Sequence, residues 1–526
     1  MIGYLKASSW GDILKIHLIS SIFEFLDITK DYSSFKKNLM PPLGLASLTG
    51  FLRKNNLKVD QTDLSVEIIY DALFGNERSR INIKDLKNNK KIEDFLLGKG
   101  SKDIDKLAES LLAKIKLKNP DLVAFSVIYD RQLLPLLLLA KKIKERYETN
   151  ICLGGHVLTS SFSTKLLNKF KFIDYCVLGE GELPLLCLCN YLEGNYRIDL
   201  IPNLVYRESG RIKINKTQGH FNYKDSPPPD FKGLPIDKYK KISNSKCVIY
   251  PYQFIRGCPF KCSFCRFCLQ NKFYFKSPQK VVSDITEIIE KNNAKFLFFL
   301  NNTLNISENY VQELCKELNK VDILWSDSVR PAGLSPKTLN LMRKSGCIQL
   351  TFGLETVSSK QIKLLNKQFT IQEAKKVIMN SHKEGIWNGV NFILGLPYER
   401  YSDLRAIRRF INKNKEYMNK VSIYYFGLNE ESEIFRHPEK FSVRIVKHPI
   451  HKVFVLDEIK GTPWWLKGLK NIVFTQLMIN SLKKEDIQIM FESWKHNYIR
   501  QDIIYELYNK YNSKKDIIKI IKNRRI

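Results

Sequence analysis

Cys258, Cys262 and Cys265 stand on one short stretch, Arg256-Gly257-Cys258-Pro259-Phe260-Lys261-Cys262-Ser263-Phe264-Cys265. Thiolates are the usual ligands of iron–sulfur clusters. Three of them on a tight loop can each take a separate iron of a [4Fe–4S] cubane, leaving the fourth iron open to chelate a substrate. Gly257 lets the backbone turn closely and Pro259 stiffens it. Cys268 extends the pattern to CxxxCxxCxxC, so a zinc site is the alternative; zinc takes four protein ligands with paired CxxC spacing. The strand–loop context described next favours the cluster and leaves Cys268 a bystander. The chain holds eleven cysteines, the first at position 152. Crowding four of them into 258–268 points to metal rather than to a disulfide framework.

The elements that must position this loop alternate. Strands are expected at 248–255, 296–300, 323–326, 348–352, 389–394 and 421–426. Helical patterns fall between them, at 278–291, 307–318, 335–345, 371–384 and 401–413. Six strands with intervening helices predict a partial (β/α)6 barrel over 246–430, with its chemistry at the strand C-termini. The cysteines follow the first of these strands directly. An earlier alternation, with strands at 122–128, 150–153 and 175–178 and helices at 133–147 and 163–170, predicts a doubly wound, Rossmann-like α/β domain over 1–200. Ligands on such sheets bind at the carboxyl ends of strands. Gly154-Gly155-His156 and Gly179-Glu180-Gly181-Glu182 lie at those ends. Residues 201–245, with Ser226-Pro227-Pro228-Pro229-Asp230 at their middle, are expected to be a linker. Residues 431–526, with Trp464, Trp465 and Trp494, are expected to be mainly helical and to cap the substrate.

CxxxCxxC with an aromatic before the last cysteine, Phe264, resembles the radical S-adenosylmethionine (AdoMet, SAM) superfamily. Phe352-Gly353-Leu354-Glu355-Thr356 resembles its fourth-strand Gly-x-Glu element, and Asn391-Phe392-Ile393-Leu394-Gly395-Leu396-Pro397 its fifth-strand motif. The resemblance implies AdoMet contacts from Phe264, Asn301, Arg330, Gly353, Glu355 and Ile393. Asn301 occupies a second-strand position where relatives often carry an acidic pair, and an Asn side chain can still accept a hydrogen bond from the methionyl amino group. Arg330 is matched to the AdoMet carboxylate. Members of this superfamily cleave AdoMet with one electron to a 5′-deoxyadenosyl radical, which abstracts a hydrogen atom; the cofactor carries the difficult chemistry.

The amino-terminal module resembles the cobalamin-binding domain of one large subgroup, through Leu43-Gly44-Leu45-Ala46-Ser47-Leu48, Asp121-Leu122-Val123-Ala124-Phe125-Ser126 and the two glycine turns. The residues implied are Leu43, Gly44, Ser126, Gly154, Gly155, Gly179, Glu180 and Gly181. The Asp-x-His-x-x-Gly motif, whose His ligates cobalt from below, is missing; Asp63-Leu64-Ser65 is its nearest match. The lower cobalt face would meet the loop at Ile128–Gln132 or water, and His156 is a solvated or capping residue. The activity implied is a cobalamin-dependent methyltransferase on a peptide or natural-product intermediate, with cyclase, oxidase or rearrangement chemistry as alternatives.

A methylthiotransferase would add a second cysteine triad ahead of the linker. Cys152, Cys176, Cys187 and Cys189 lack the spacing. The formal charge of +31 is read as lysines spread over solvated faces, so a nucleic-acid partner, as for a cluster-bearing sensor, is not expected. An electron donor such as flavodoxin or ferredoxin is. The N-terminus has no signal-peptide pattern, and the most apolar stretch, Leu133 to Ala140, is too short to span a bilayer, which predicts a soluble, cytoplasmic protein.

Overall fold

The structure is a computed structural model that describes residues 14–20, 39–76, 81, 88–215, 221–266, 273–447, 454–482 and 488–492. Two compact units divide the chain. The first runs to Ile249 and the second begins at Tyr250, with residues 287–293 grouped with the first.

In the first unit, strands β1 (Lys15–Ser20), β2 (Lys58–Asp63), β3 (Leu122–Ser126), β4 (Asn150–Gly154), β5 (Tyr175–Val177), β6 (Leu204–Glu208) and β7 (Arg211–Ile214) form one sheet in the order β2-β1-β3-β4-β5-β6-β7. The first five pair in parallel, and β6 and β7 close the edge antiparallel. Order 2-1-3-4-5 is a doubly wound arrangement with its switch point between β1 and β3. Helices α1 (Leu43–Lys54), α2 (Leu64–Phe74), α3 (Asn89–Leu96), α4 (Lys102–Leu112), α5 (Leu133–Arg146), α6 (Ser160–Lys169) and α7 (Glu182–Leu192) connect the strands, and α8 (Ile236–Ser243) follows them. The central strands are buried throughout their length, as Leu122–Phe125 and Ile151–Leu153 show, because helices cover both faces of a parallel sheet. Residues 201–245 are more than a linker: they supply β6, β7 and α8. Strand β1 lies outside the sequence-based elements because its neighbours 1–13 and 21–38 give no periodic pattern to frame it.

In the second unit, β8 (Ile249–Tyr252) opens the sheet and β9 (Ile255–Arg256) pairs antiparallel with β10 (Tyr274–Phe275), bracketing the cysteine loop. Then β11 (Phe296–Phe299), β12 (Leu324–Val329), β13 (Cys347–Glu355), β14 (Trp387–Leu394) and β15 (Lys420–Tyr425) add in chain order, alternating with α9 (Pro278–Asn292), α10 (Glu308–Leu318), α11 (Pro336–Lys344), α12 (Ser359–Leu364), α13 (Ile371–Lys383) and α14 (Tyr401–Asn414). From β11 to β15 neighbouring strands are parallel. The helix starts are encoded locally. Ser335 caps α11 with Pro336 in the first turn, and Thr370 and Glu373 form a reciprocal capping box on α13. The interior is aromatic: Trp325 stacks on Phe299 at 5.3 Å, and Phe254 meets Phe299 edge-on at 5.0 Å.

The C-terminal part differs from the helical expectation. Its described residues hold the short helix α15 (Glu433–Arg436), an antiparallel hairpin of β16 (Val443–Lys447) and β17 (Phe454–Glu458), the helix α16 (Trp464–Leu482), and β18 (Gln488–Glu492). Strand β18 runs parallel to β15 and becomes a seventh strand of the second sheet. Neither Val443–Lys447 nor Phe454–Glu458 alternates strictly in polarity, so the sequence carries little strand signal there. No helix among the described residues is long and apolar enough to cross a membrane. Trp494 and Cys268 lie outside the described residues.

Candidate active site

The cysteine loop is held from several sides. Gly257 takes a left-handed φ of 81°, which glycine adopts freely. The amide of Cys265 donates to the Cys262 carbonyl at 3.0 Å, closing a turn. Between them, the Ser263 amide donates to Leu365 O at 3.1 Å and its hydroxyl to Leu364 O at 2.9 Å. Asn366 Nδ2 donates to Lys261 O at 2.8 Å, and Ile434 N donates to Ser263 O at 3.1 Å. The three cysteines are half-buried, and none forms a disulfide. Among the described residues no three His, Cys, Asp or Glu side chains are grouped as ligands of one ion would be. A cubane instead asks each thiolate to reach a different iron, which three cysteines along one loop suit.

Burial pushes the Cys258 and Cys262 thiols up, while the charges of Arg330 and Lys367 pull them back down. Arg330 follows β12. Its guanidinium lies 3.5 Å over the Phe260 ring and donates to Lys367 O at 2.6 Å. Its Nε is buried without a hydrogen-bond partner. Asn305 fixes its backbone, accepting from Arg330 N at 2.9 Å and donating to Arg330 O at 3.0 Å. A half-buried guanidinium with an unused donor is suited to an anionic group such as a carboxylate.

Glu355 ends β13 with a left-handed φ of 67°, which is costly for a residue with a side chain. A Cβ on Gly353 would stand 2.8 Å from Glu355 Oε1, so the Gly-x-Glu spacing leaves room for the carboxylate to fold back over the glycine. Lys367 reaches the same place, donating to Gly353 O at 2.9 Å with its Nζ 3.7 Å from Glu355 Oε1. Burial pushes the Glu355 carboxyl up, and Lys367 opposes the shift. Phe264 and Ile393 both pack on a core of Leu365, Leu396, Ile434, Phe441, Val443 and Leu456. Thus Phe264, Arg330, Gly353, Glu355 and Ile393 gather around the cysteine loop.

Asn301 does something else. Its Oδ1 accepts from Phe254 N at 3.1 Å and Ile255 N at 2.9 Å, and its Nδ2 donates to Asp327 Oδ2 at 2.7 Å. Both lone pairs of the amide oxygen are taken. The expected contact to the methionyl amino group is therefore corrected: Asn301 ties the strand ahead of the cysteines to β12.

In the first unit, Ser20, Asp63, Ser126, Gly154 and Val177 lie in one row at the carboxyl ends of β1 to β5. Added Cβ atoms at Gly44 and Gly179 would meet nothing within 4 Å, and one at Gly154 would only graze Phe125 O at 3.9 Å. Leu43 starts α1 beside Gly44, and Glu180 follows Gly179 ahead of α7. Gly155 and Gly181 serve the fold. At Gly155, with φ of 120°, a Cβ would stand 2.2 Å from Val127 O, and at Gly181 it would press Leu48 at 3.2 Å. Asp63 is buried, accepting from Ser20 Oγ at 2.9 Å, Ser65 N at 3.0 Å and the Tyr239 hydroxyl. Gln132 orders the loop after β3 by accepting from Ile128 N and Tyr129 N, which leaves Ile128 and Tyr129 exposed. His156 is exposed.

Sequence reasoning missed Lys367, Asn305 and the loop Leu364–Phe369. In that loop Asn366 and Gln368 are both left-handed, with φ of 53° and 55°. Asn at 366 is the one local signal, since Asn enters this region more readily than most residues.

A family model described as the Radical SAM superfamily matches residues 252–411, which hold the cysteine loop, Arg330, Gly353, Glu355 and Ile393. Over residues 252–411 the chain is similar to the radical SAM superfamily. Among curated relatives, it is 28% identical over 327 residues to an uncharacterized methyltransferase of Pyrococcus horikoshii, covering 59% of this chain and 69% of that one. It is 30% identical over 247 residues to an anaerobic magnesium-protoporphyrin IX monomethyl ester cyclase of Rubrivivax gelatinosus, covering 45% of this chain and 44% of that one. The chain thus spans less than half the length of that cyclase. Two solved radical SAM structures share the fold. The cobalamin-dependent enzyme OxsB with aqua-cobalamin bound aligns at a TM-score of 0.64 and 15% identity, over 97% of this chain and 72% of that one. The methyltransferase TsrM from Kitasatospora setae, with cobalamin and a [4Fe-4S] cluster bound, aligns at 0.62 and 11% identity, over 97% of this chain and 99% of that one.

Proposed function

We propose that this radical SAM enzyme is a cobalamin-dependent methyltransferase acting on a peptide or natural-product intermediate. The observation that carries the reading is the presence in one chain of two kinds of site. One is a half-buried three-cysteine loop beside a half-buried Arg330 whose buried Nε is an unused donor. The other is a 2-1-3-4-5 sheet whose edge presents open space at Gly44, Gly154 and Gly179. A bound [4Fe–4S] cluster and cobalamin would supply reductive cleavage of AdoMet and methyl transfer, respectively.

Cys258, Cys262 and Cys265 would hold the cluster, with the Ser263 anchors fixing the loop. Arg330 orients the AdoMet carboxylate through its free Nε–H. Glu355, folded over Gly353, accepts a hydrogen bond from AdoMet, and Phe264 and Ile393 form an apolar wall that excludes water. In the first unit, Leu43, Gly44, Ser126, Gly154, Gly179 and Glu180 line the cobalamin pocket, with Gly155 and Gly181 shaping it from behind. A flavodoxin or ferredoxin delivers the electron, and the compartment is the cytoplasm. The likeness to the cyclase supports radical cyclisation as a second reading.

Anaerobic reconstitution with iron, sulfide and hydroxocobalamin tests this. Near-stoichiometric cobalamin is expected in the wild-type protein. In Cys262→Ala the cluster is lost and cobalamin kept. Failure of the wild-type chain to retain cobalamin would overturn the cobalamin-dependent reading and leave a radical SAM enzyme of another kind.

A further inference from the structure

Two cations stand beside the cysteine loop, and the motif explains only one. Arg330 reaches toward it from the end of β12. Lys367 comes from the segment between α12 and α13, and only about 5% of it is exposed. Its ammonium donates to Gly353 O at 2.9 Å and lies 3.7 Å from Glu355 Oε1. It also lies 5.7 Å from the centre of the Phe264 ring and 5.6 Å from that of Phe369. Phe264 immediately precedes Cys265, so the charge sits against the loop itself. Of the two cations, Lys367 acts more strongly on Cys262 and Arg330 on Cys258.

The backbone that carries Lys367 is built to hold it there. Asn366 and Gln368, on either side, are both left-handed. The Lys367 amide donates to Ile362 O at 3.0 Å, and its carbonyl accepts from Arg330 at 2.6 Å. The same segment anchors Ser263 and Lys261. Lys367 thus lies between the Phe264 ring, next to Cys265, and the carboxylate that folds over Gly353. An ion pair of 3.7 Å leaves the ammonium only partly neutralised, so its field is felt by other nearby charge.

We propose that Lys367 is an electrostatic positioning residue: it holds Glu355 in its left-handed turn and raises the reduction potential of the cluster that Cys258, Cys262 and Cys265 bind. The step it acts on is the gain of one electron by the cluster from a low-potential donor, with no proton taken up. Adding negative charge beside a fixed ammonium is easier than adding it beside a neutral group. Glu355 acts in the opposite sense, and the two together set the potential at which the cluster accepts its electron. This rests on the cluster assignment made above.

The test is an anaerobic redox titration of the reconstituted full chain without AdoMet, followed by electron paramagnetic resonance. Lys367→Met is expected to lower the midpoint potential, Lys367→Arg to keep it near the wild-type value, and Glu355→Gln to raise it. An unchanged potential in Lys367→Met, with the cluster fully loaded, would overturn the inference. If Lys367→Met does not assemble a cluster, Lys367→Gln is titrated in its place: a downward shift supports the inference and no shift overturns it. A wild-type chain that assembles no cluster would instead overturn the cluster assignment, so the two failures are distinguishable.

Discussion

Replacing Asn301 by alanine removes three hydrogen bonds at once. Phe254 N and Ile255 N lose their acceptor and the Asp327 carboxyl loses its donor. All three residues are essentially inaccessible to solvent. A buried polar group left unsatisfied costs about 1–3 kcal/mol. Partial relaxation and water entry reduce the sum, so a loss of roughly 3–5 kcal/mol is expected. That is a large share of the 5–15 kcal/mol typical of a folded domain. Burial already holds the Asp327 carboxyl well above the usual carboxylate range, so losing its donor deepens an existing penalty. Urea unfolding, followed by the fluorescence of buried Trp325, reads the effect as a lower midpoint. Asn301→Asp keeps an acceptor for both amides and is expected to cost less. If Asn301→Ala leaves the midpoint unchanged and weakens only AdoMet binding, the positioning role is wrong and Asn301 is a ligand after all.

The two units carry opposite pH dependences. Burial lowers His17 to about 4; its folded value lies below the unfolded 6.5, so stability is full above 6.5 and falls by up to about 3 kcal/mol as pH drops through 4. Burial raises Glu399 to about 7; stability is full below the unfolded 4.5 and falls by a similar amount, about 3 kcal/mol, as pH rises through 7. Separate unfolding profiles of His17→Asn and Glu399→Gln check both slopes; loss of neither slope refutes the assignment. Gly155→Ala is expected to cost at least about 2 kcal/mol, from the contact with Val127 and the positive φ. Gly44→Ala, on an exposed helix turn with open space, is expected to leave stability unchanged or up to about 1 kcal/mol higher while weakening cobalamin retention. Thermal melts with and without hydroxocobalamin separate the two glycines.

Much of this arrangement is legible in the sequence because it is periodic. The strands from Phe296 to Tyr425 are apolar runs flanked by amphipathic helices with capping residues such as Ser335 and Thr370. The cysteine spacing declares itself for the same local reason. What stayed hidden depends on distant partners. Asn301 looked like a ligand because its position follows a strand end; only tertiary pairing with Phe254, Ile255 and Asp327 shows its oxygen to be used. Gly155 and Gly44 look alike in sequence, and only the neighbouring backbone of Val127 separates a folding glycine from an open one. Lys367 is one lysine among many, and no local pattern marks it as buried. Strand β18 becomes visible only through its pairing with β15.

The most direct test of the central claim is the formation of 5′-deoxyadenosine. The reconstituted chain is incubated anaerobically with AdoMet and dithionite, and the product is quantified by chromatography. Wild-type protein is expected to form it with a loaded [4Fe–4S] cluster, and Cys258→Ala, Cys262→Ala and Cys265→Ala are each expected to form none. Equal yields from wild type and any of the three variants would contradict the assignment of these cysteines as the cluster's ligands.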